Sequence, residues 1–259
     1  MIIDSAQWGI LWPAFVAGLL VTATHVPLGM QVLDRGIVFI DLAIAQVAGL
    51  GVIIADYAGW SATGVAVQVA ALSAALVCAA LLTWTEQRWP QVQEAVIGVV
   101  FVVASSAAIL VLAKNPHGSE NLKDLLSGQI LWVNPARLAY VALIYGVLLA
   151  LWFSKLRQRL GRIGFYVVFG CTVTVSVQLV GLYLVFTTLV VPALATFYWR
   201  QRRLLKAYCV GALGYALGLL LSVVTDLPSG AMIVCALVGV GVAMALIATG
   251  LNLRAPSST

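Results

Sequence analysis

The stretch IGFYVVFGCTVTVSVQLVGLYLVFTTLVVPALATFYW, residues 163–199, carries no charged side chain from end to end. A bilayer core is crossed by about 20 helical residues, so this run is too long for one crossing and too short for two full ones. Basic clusters flank it: Lys155, Arg157, Arg159 and Arg162 before, Arg200, Arg202, Arg203 and Lys206 after. A single crossing would place the clusters on opposite sides, against the tendency of Lys and Arg to stay cytoplasmic. Two shortened helices meeting near Gly181 remove the conflict, and broken helices are allowed where protein or a water-filled cavity covers their ends.

The rest of the chain has the same character. Of its 259 residues, 63% are hydrophobic and 9% charged, with a mean hydropathy of +1.06; a soluble domain carries roughly 25% charged residues. Apolar runs at 8–30, 37–55, 60–84, 95–113, 138–153, 207–224 and 229–251 predict seven spans besides the hairpin, in an all-α polytopic membrane protein of one domain, residues 1–259. The first span opens on Trp8 and Trp12 and closes with His25, Pro27 and Gly29 before a connector at 30–36. Residues 85–94, TEQRWPQVQE, read as a polar loop, and 120–133, ENLKDLLSGQILWV, as a short interfacial helix ended by Asn134–Pro135.

With the N-terminus outside, the hairpin topology puts Arg35, Arg88, Arg254 and both basic clusters in the cytoplasm, and leaves only Lys114, Lys123 and Arg137 outside. No Lys or Arg precedes Arg35, so a cleavable leader is not expected. The basic surplus reports orientation rather than nucleic acid. Cys78, Cys171, Cys209 and Cys235 each lie in an apolar run without ligand spacing and read as small packing residues. Glycines 49, 51, 211, 214, 218, 239 and 241 predict close helix crossings.

Within 37–55, IVFIDLAIAQVAGLGVIIA, stands Asp41, followed by Gln46. A carboxylate in a spanning segment usually faces a bundle interior or a water-filled path. Other sparse polar groups are His25, Gln68, Gln178 and Glu94, the last placed to complement a helix N-terminus. No phosphate-binding Gly-rich loop ending in Lys-Ser/Thr occurs, nor a His-Glu-x-x-His or Gly-x-Ser-x-Gly pattern, and two histidines exclude a three-histidine zinc site. An enzyme is therefore not expected. A secondary transporter or channel, with Asp41 binding a coupling ion, remains compatible with composition alone.

The order of segments resembles the permeases of zinc, manganese and iron ABC importers, themselves similar to the vitamin B12 and siderophore permeases. The resemblance rests on PLGMQVLDRGIVFIDLAIAQVAGLG at 27–51, EAVIGVVFVVASSAAIL at 94–110, LLSGQILWV at 125–133, VSVQLVGLYLVFTTLVVPALAT at 175–196 and DLPSGAMIV at 226–234. It implies a type II importer permease in a bacterial cytoplasmic membrane, working as a dimer with a second permease copy (a homodimer) or a different permease chain (a heterodimer). It further implies two cytoplasmic ATPase subunits, a periplasmic or lipid-anchored metal-binding protein, and transported Zn or Mn with no cofactor bound by this chain.

The resemblance places ATPase coupling at 153–165, FSKLRQRLGRIGF, with Lys155, Arg157, Arg159, Leu160, Gly161 and Arg162. Family members often carry an acidic residue and an alanine there, where this chain is basic. The family's metal path shows an Asp with a His four residues later; Asp41 is present, Ala45 stands at the histidine's position, and Gln46 is one further on. Asp41 and Gln46 are thus candidate oxygen ligands, and His25 a candidate nitrogen ligand. A permease for a metal chelate is the alternative within the same fold.

Overall fold

The computed structural model describes residues 5–60, 65–112, 130–199 and 201–254. Nine α-helices run through these segments: α1 Ser5–Arg35, α2 Ile40–Tyr57, α3 Val65–Arg88, α4 Gln93–Leu112, α5 Pro135–Phe153, α6 Lys155–Val180, α7 Leu182–Ala195, α8 Arg203–Thr225 and α9 Ser229–Arg254. Seven contain stretches long and apolar enough to cross a membrane. The expected number of full spans is met with one exchange: Gly161–Val180 is full length, whereas the apolar part of α5 is the shorter Leu138–Phe153. The interfacial helix expected over 120–133 falls largely outside the described residues; of it, Ile130–Trp132 forms a 3-10 turn with Ile130 buried against the bundle.

Three boundaries differ from expectation, each for a local reason. Helix α1 does not give way to a connector at residue 30, past Pro27 and Gly29, but continues to Arg35. Proline removes the N–H that would bond the carbonyl of Ala23. The Tyr208 hydroxyl of α8 donates to that carbonyl instead, at 3.2 Å. Residues 85–94 are mostly helical, because α3 runs to Arg88 and α4 begins at Gln93. The buried Gln93 amide fastens the corner: its Nε2 donates to the Leu82 carbonyl at 3.0 Å, and its Oε1 accepts from the Thr85 hydroxyl at 3.0 Å. Asn134–Pro135 starts a helix rather than ending one, Asn134 capping α5 by accepting from the Ala136 N–H at 2.9 Å, with Pro135 in the first turn.

The break at Gly181 lies where the charge pattern requires it, with φ 84° and ψ 162°. Such a φ is open to glycine and strained for other residues. Only one arm is shortened. Arg162–Val180 spans about 28 Å and α7 about 21 Å at 1.5 Å per residue. Ion pairs fix the return: Arg162 lies 4.0 Å from Glu86, Glu86 3.7 Å from Arg35, and Arg203 3.5 Å from Asp34. The start of α6, the start of α8 and the end of α1 therefore share one end of the bundle, here called the basic end.

The hairpin arms are splayed into different company. Helix α6 packs on α2, α3 and α5, and α4 packs on α2; α7 packs on α1, α8 and α9, and α8 packs on both α1 and α9. Between these two groups contact is sparse, limited chiefly to α1 with α5 and α6, α6 with α7, and α2 with α7. The chain crosses this seam at Gly36–Phe39 and again at Gly181. A crevice too narrow to hold water runs along it, lined by Thr24 and Leu28 of α1, Leu148 and Trp152 of α5, and Val168 and Thr172 of α6.

Small residues set the closest approaches inside each group. A Cβ at Gly29 would overlap the carbonyl oxygen of Leu189, so α1 and α7 touch backbone to backbone. Gly51, Gly211, Gly214, Gly218 and Gly241 also meet neighbouring helices, as expected; Gly49 and Gly239 have open space beside them. Enclosure is uneven. In the Gly161–Val180 segment 72% of the most apolar stretch is buried, against 22% in the spans formed by α4 and α9, which present most of their surface outward.

Candidate translocation site

Asp41 is the second residue of α2, just after the non-helical Phe39, and is fully buried. Neither carboxylate oxygen meets a side-chain donor or a cation; the one backbone donor beside them is the N–H of Leu42, the next residue in the chain. The unbonded N–H groups of a first helical turn give partial positive charge there, but an unpaired carboxylate inside a protein is still strongly disfavoured without a ligand or counter-charge. Its helix face continues through Ile44, Ala45 and Ala48, all buried, and Ile44 reaches Gly170 of α6. Ala45 therefore stands on the face of Asp41. Gln46 lies a further 100° round the helix and is half-buried.

At the mouth of α2 a second carboxylate approaches. Glu94, in the first turn of α4, accepts from the Phe39 N–H at 3.4 Å, and its Oε2 is buried without a partner. The Phe39 ring stacks on Phe186 of α7, centroids 6.2 Å apart, across the seam.

His25 belongs to the other group. On α1 it shares a face with Gly18, Thr22 and Gly29, which abut Tyr215, Gly211 and Leu189. That face looks onto α7 and α8, where the Thr188 and Tyr215 hydroxyls pair at 3.0 Å. The His25 Nδ1 lies 3.0 Å from the Val21 carbonyl, which can only accept. By this geometry Nδ1 carries the proton and Nε2, buried and unpartnered, presents a lone pair. Helices α1 and α2 barely touch, so the structure does not gather His25 with Asp41 and Gln46. Among the described residues, no group of three or more His, Cys, Asp or Glu side chains is placed to hold a metal ion.

The expected coupling segment lies at the basic end. Ser154 closes α5 by donating its hydroxyl to the Leu151 carbonyl at 2.7 Å. Gly161, at φ 57° and ψ −122°, then divides a short first piece of α6, residues 155–160, from the spanning piece. Lys155, Arg159, Gly161 and Arg162 are exposed there; the side chains of Arg157 and Leu160 fall outside the described ones. Behind this segment the Arg35 guanidinium covers the Phe165 ring at 4.1 Å. Glu86, Gln93 and Arg35 were not singled out by sequence reasoning. Glu86 and Arg35 meet from different helices, and Gln93 bonds back to Leu82 and Thr85 across a turn; only the placement of polar residues beside span ends hinted at them.

Two solved structures share the architecture. PsaBC from Streptococcus pneumoniae, in complex with a Fab, matches with a TM-score of 0.75 over 96% of this chain and 96% of that chain, at 18% identity. An ABC transporter assigned to the metal-chelate type, in an inward-facing conformation, matches with a TM-score of 0.60 over 97% of this chain and 88% of that chain, at 16% identity. At such identities the likeness speaks for the fold. The sequence itself matches the ABC 3 transport family over residues 7–160 and 154–248, and the chain belongs to that family.

Proposed function

We propose that this permease subunit moves a divalent metal ion, zinc or manganese, inward across a bacterial cytoplasmic membrane, with its N-terminus outside and its C-terminus in the cytoplasm. Membership of an ABC transport family implies an ATPase partner and a substrate-binding partner. ATP hydrolysis belongs in this reading to the ATPase subunits, which dock on Lys155–Arg162. A second permease copy completes the pathway, and a periplasmic or lipid-anchored protein delivers the ion.

The observation that carries the cargo class is the fully buried carboxylate of Asp41, which has no side-chain or charged partner. A negative group without a counter-charge suits a transient cation, and a single carboxylate binds weakly enough to let the ion leave; the half-buried Gln46 amide, about 140° round α2 from Asp41, serves as a separate oxygen donor on the path. His25, with Nε2 unpartnered, offers a nitrogen donor inside the other helix group, on the face of α1 turned to α7 and α8. Ala45, small where a second strong ligand would stand, favours one further reading, a metal already wrapped in a chelator.

The test is uptake by the permease reconstituted with its ATPase and binding protein. Asp41→Ala removes a charged contact of about 1.5–3 kcal/mol and lowers metal uptake about tenfold or more. Unchanged uptake of every cation tried in Asp41→Ala, Gln46→Ala and His25→Ala rejects the assignment. Uptake of chelated but not free metal selects the second reading.

A further inference from the structure

Glu86 stands where three parts of the molecule meet. It closes α3 in the group of α2–α6; Arg35 faces it from α1, across the seam, and Arg162 from beside the segment 155–160. Its side chain is only 16% exposed and that of Arg35 24%, so the charges interact through a medium less screening than bulk water. Arg162 is 52% exposed and its contact is the longer, which makes it the partner that can leave. Five residues after Arg35, at Ile40, begins α2, with Asp41 in its first turn. The two chain crossings of the seam each carry a glycine at positive φ, Gly36 at 70° and Gly181 at 84°. Covalent links of that kind can turn while the packed groups remain rigid.

We propose that Glu86 is a positioning residue of the transport cycle, holding the seam closed at the basic end through Arg35 and sensing the docking segment through Arg162. This rests on the transport reading given above. When the ATPase draws residues 155–160 away, Arg162 leaves Glu86, the hold on Arg35 changes, and the two helix groups part about Gly36 and Gly181. The ion at Asp41 is then released toward the basic end.

The experiment reads the ratio of metal taken up to ATP hydrolysed by the full complex in proteoliposomes, for the wild type, Glu86→Gln, Arg162→Gln and Arg88→Gln. A lower amount of folded protein scales both activities and leaves their ratio unmoved. Glu86→Gln and Arg162→Gln are expected to lower the ratio at least about fivefold, the lower end of ordinary coupling between sites. Arg88→Gln, which removes an exposed positive charge two residues from Glu86, should keep it. Ratios within about twofold of wild type for both Glu86→Gln and Arg162→Gln overturn the proposal, since that change lies below the coupling range. A wild-type complex with no ATP-driven uptake instead refutes the transport reading itself.

Discussion

Replacing Gly29 by alanine tests the central helix contact of the fold. The added Cβ would fall inside the carbonyl oxygen of Leu189, 2.8 Å from its carbonyl carbon and 3.4 Å from its Cα. The obstacle is backbone, so no rotamer change relieves it, and α1 must separate from α7. Overpacking costs about 1–3 kcal/mol, and a backbone obstacle belongs at the top of that range. Alanine returns about 1 kcal/mol of helix propensity, leaving a net loss of about 2 kcal/mol. For a chain of this size that lowers the melting temperature by about 4–8 °C. The measurement is thermal unfolding in detergent, followed by a thiol dye reacting with buried Cys78 as the bundle opens, in a chain whose Cys171, Cys209 and Cys235 are replaced by serine. Gly49→Ala is the control, because nothing lies within 4 Å of its added Cβ; it keeps the propensity gain without the clash. If Gly29→Ala melts no lower than Gly49→Ala, the backbone contact between α1 and α7 is not as described.

Two further outcomes follow from other parts of the structure. Tyr208→Phe strands the Ala23 carbonyl and should cost about 1–3 kcal/mol in the same melting assay. Adding Pro27→Ala restores an N–H for that carbonyl, so the double variant should be less destabilised than the two single losses summed; strict additivity contradicts the compensation. Cysteines placed at Arg159 and Arg202 of a cysteine-free chain should both react with an impermeant thiol reagent from one face of the membrane. Reaction from opposite faces would dismantle the hairpin.

What could be read from the sequence was what composition and charge decide locally. A run without charges between two basic clusters specifies a returning hairpin, and the pairing of Arg162 and Arg203 with neighbouring groups at one end bears this out. A carboxylate in an apolar run is conspicuous for the same reason, and Asp41 proves fully buried. Its role in transport is a matter for the uptake assay. Features set by distant partners were hidden. Pro27 looks like a helix end until Tyr208, far along the chain, supplies the missing donor. Residues 85–94 look like a loop because Thr85 and Gln93 are polar, yet each satisfies the other inside the bundle. Glu86 carries no mark that separates it from a solvated loop residue. The split into two packing groups is likewise a property of pairings between helices, which periodicity along one helix does not contain.

The shortness of α7 bears on how the molecule is made. At about 21 Å it falls well below the roughly 30 Å of the hydrocarbon core, so it is a poor candidate to settle in lipid unaided. Three of its neighbours, α1, α8 and α9, lie at opposite extremes of the chain. During synthesis from the N-terminus only α1 is already in place when α7 emerges, and Gly29 offers it a backbone-deep seat against Leu189. The remaining walls arrive last. Assembly thus has a built-in order, in which the oldest helix must receive the hairpin's second arm before the youngest pair can close around it. A ribosome stalled before α8 would leave a half-covered arm exposed to membrane quality control.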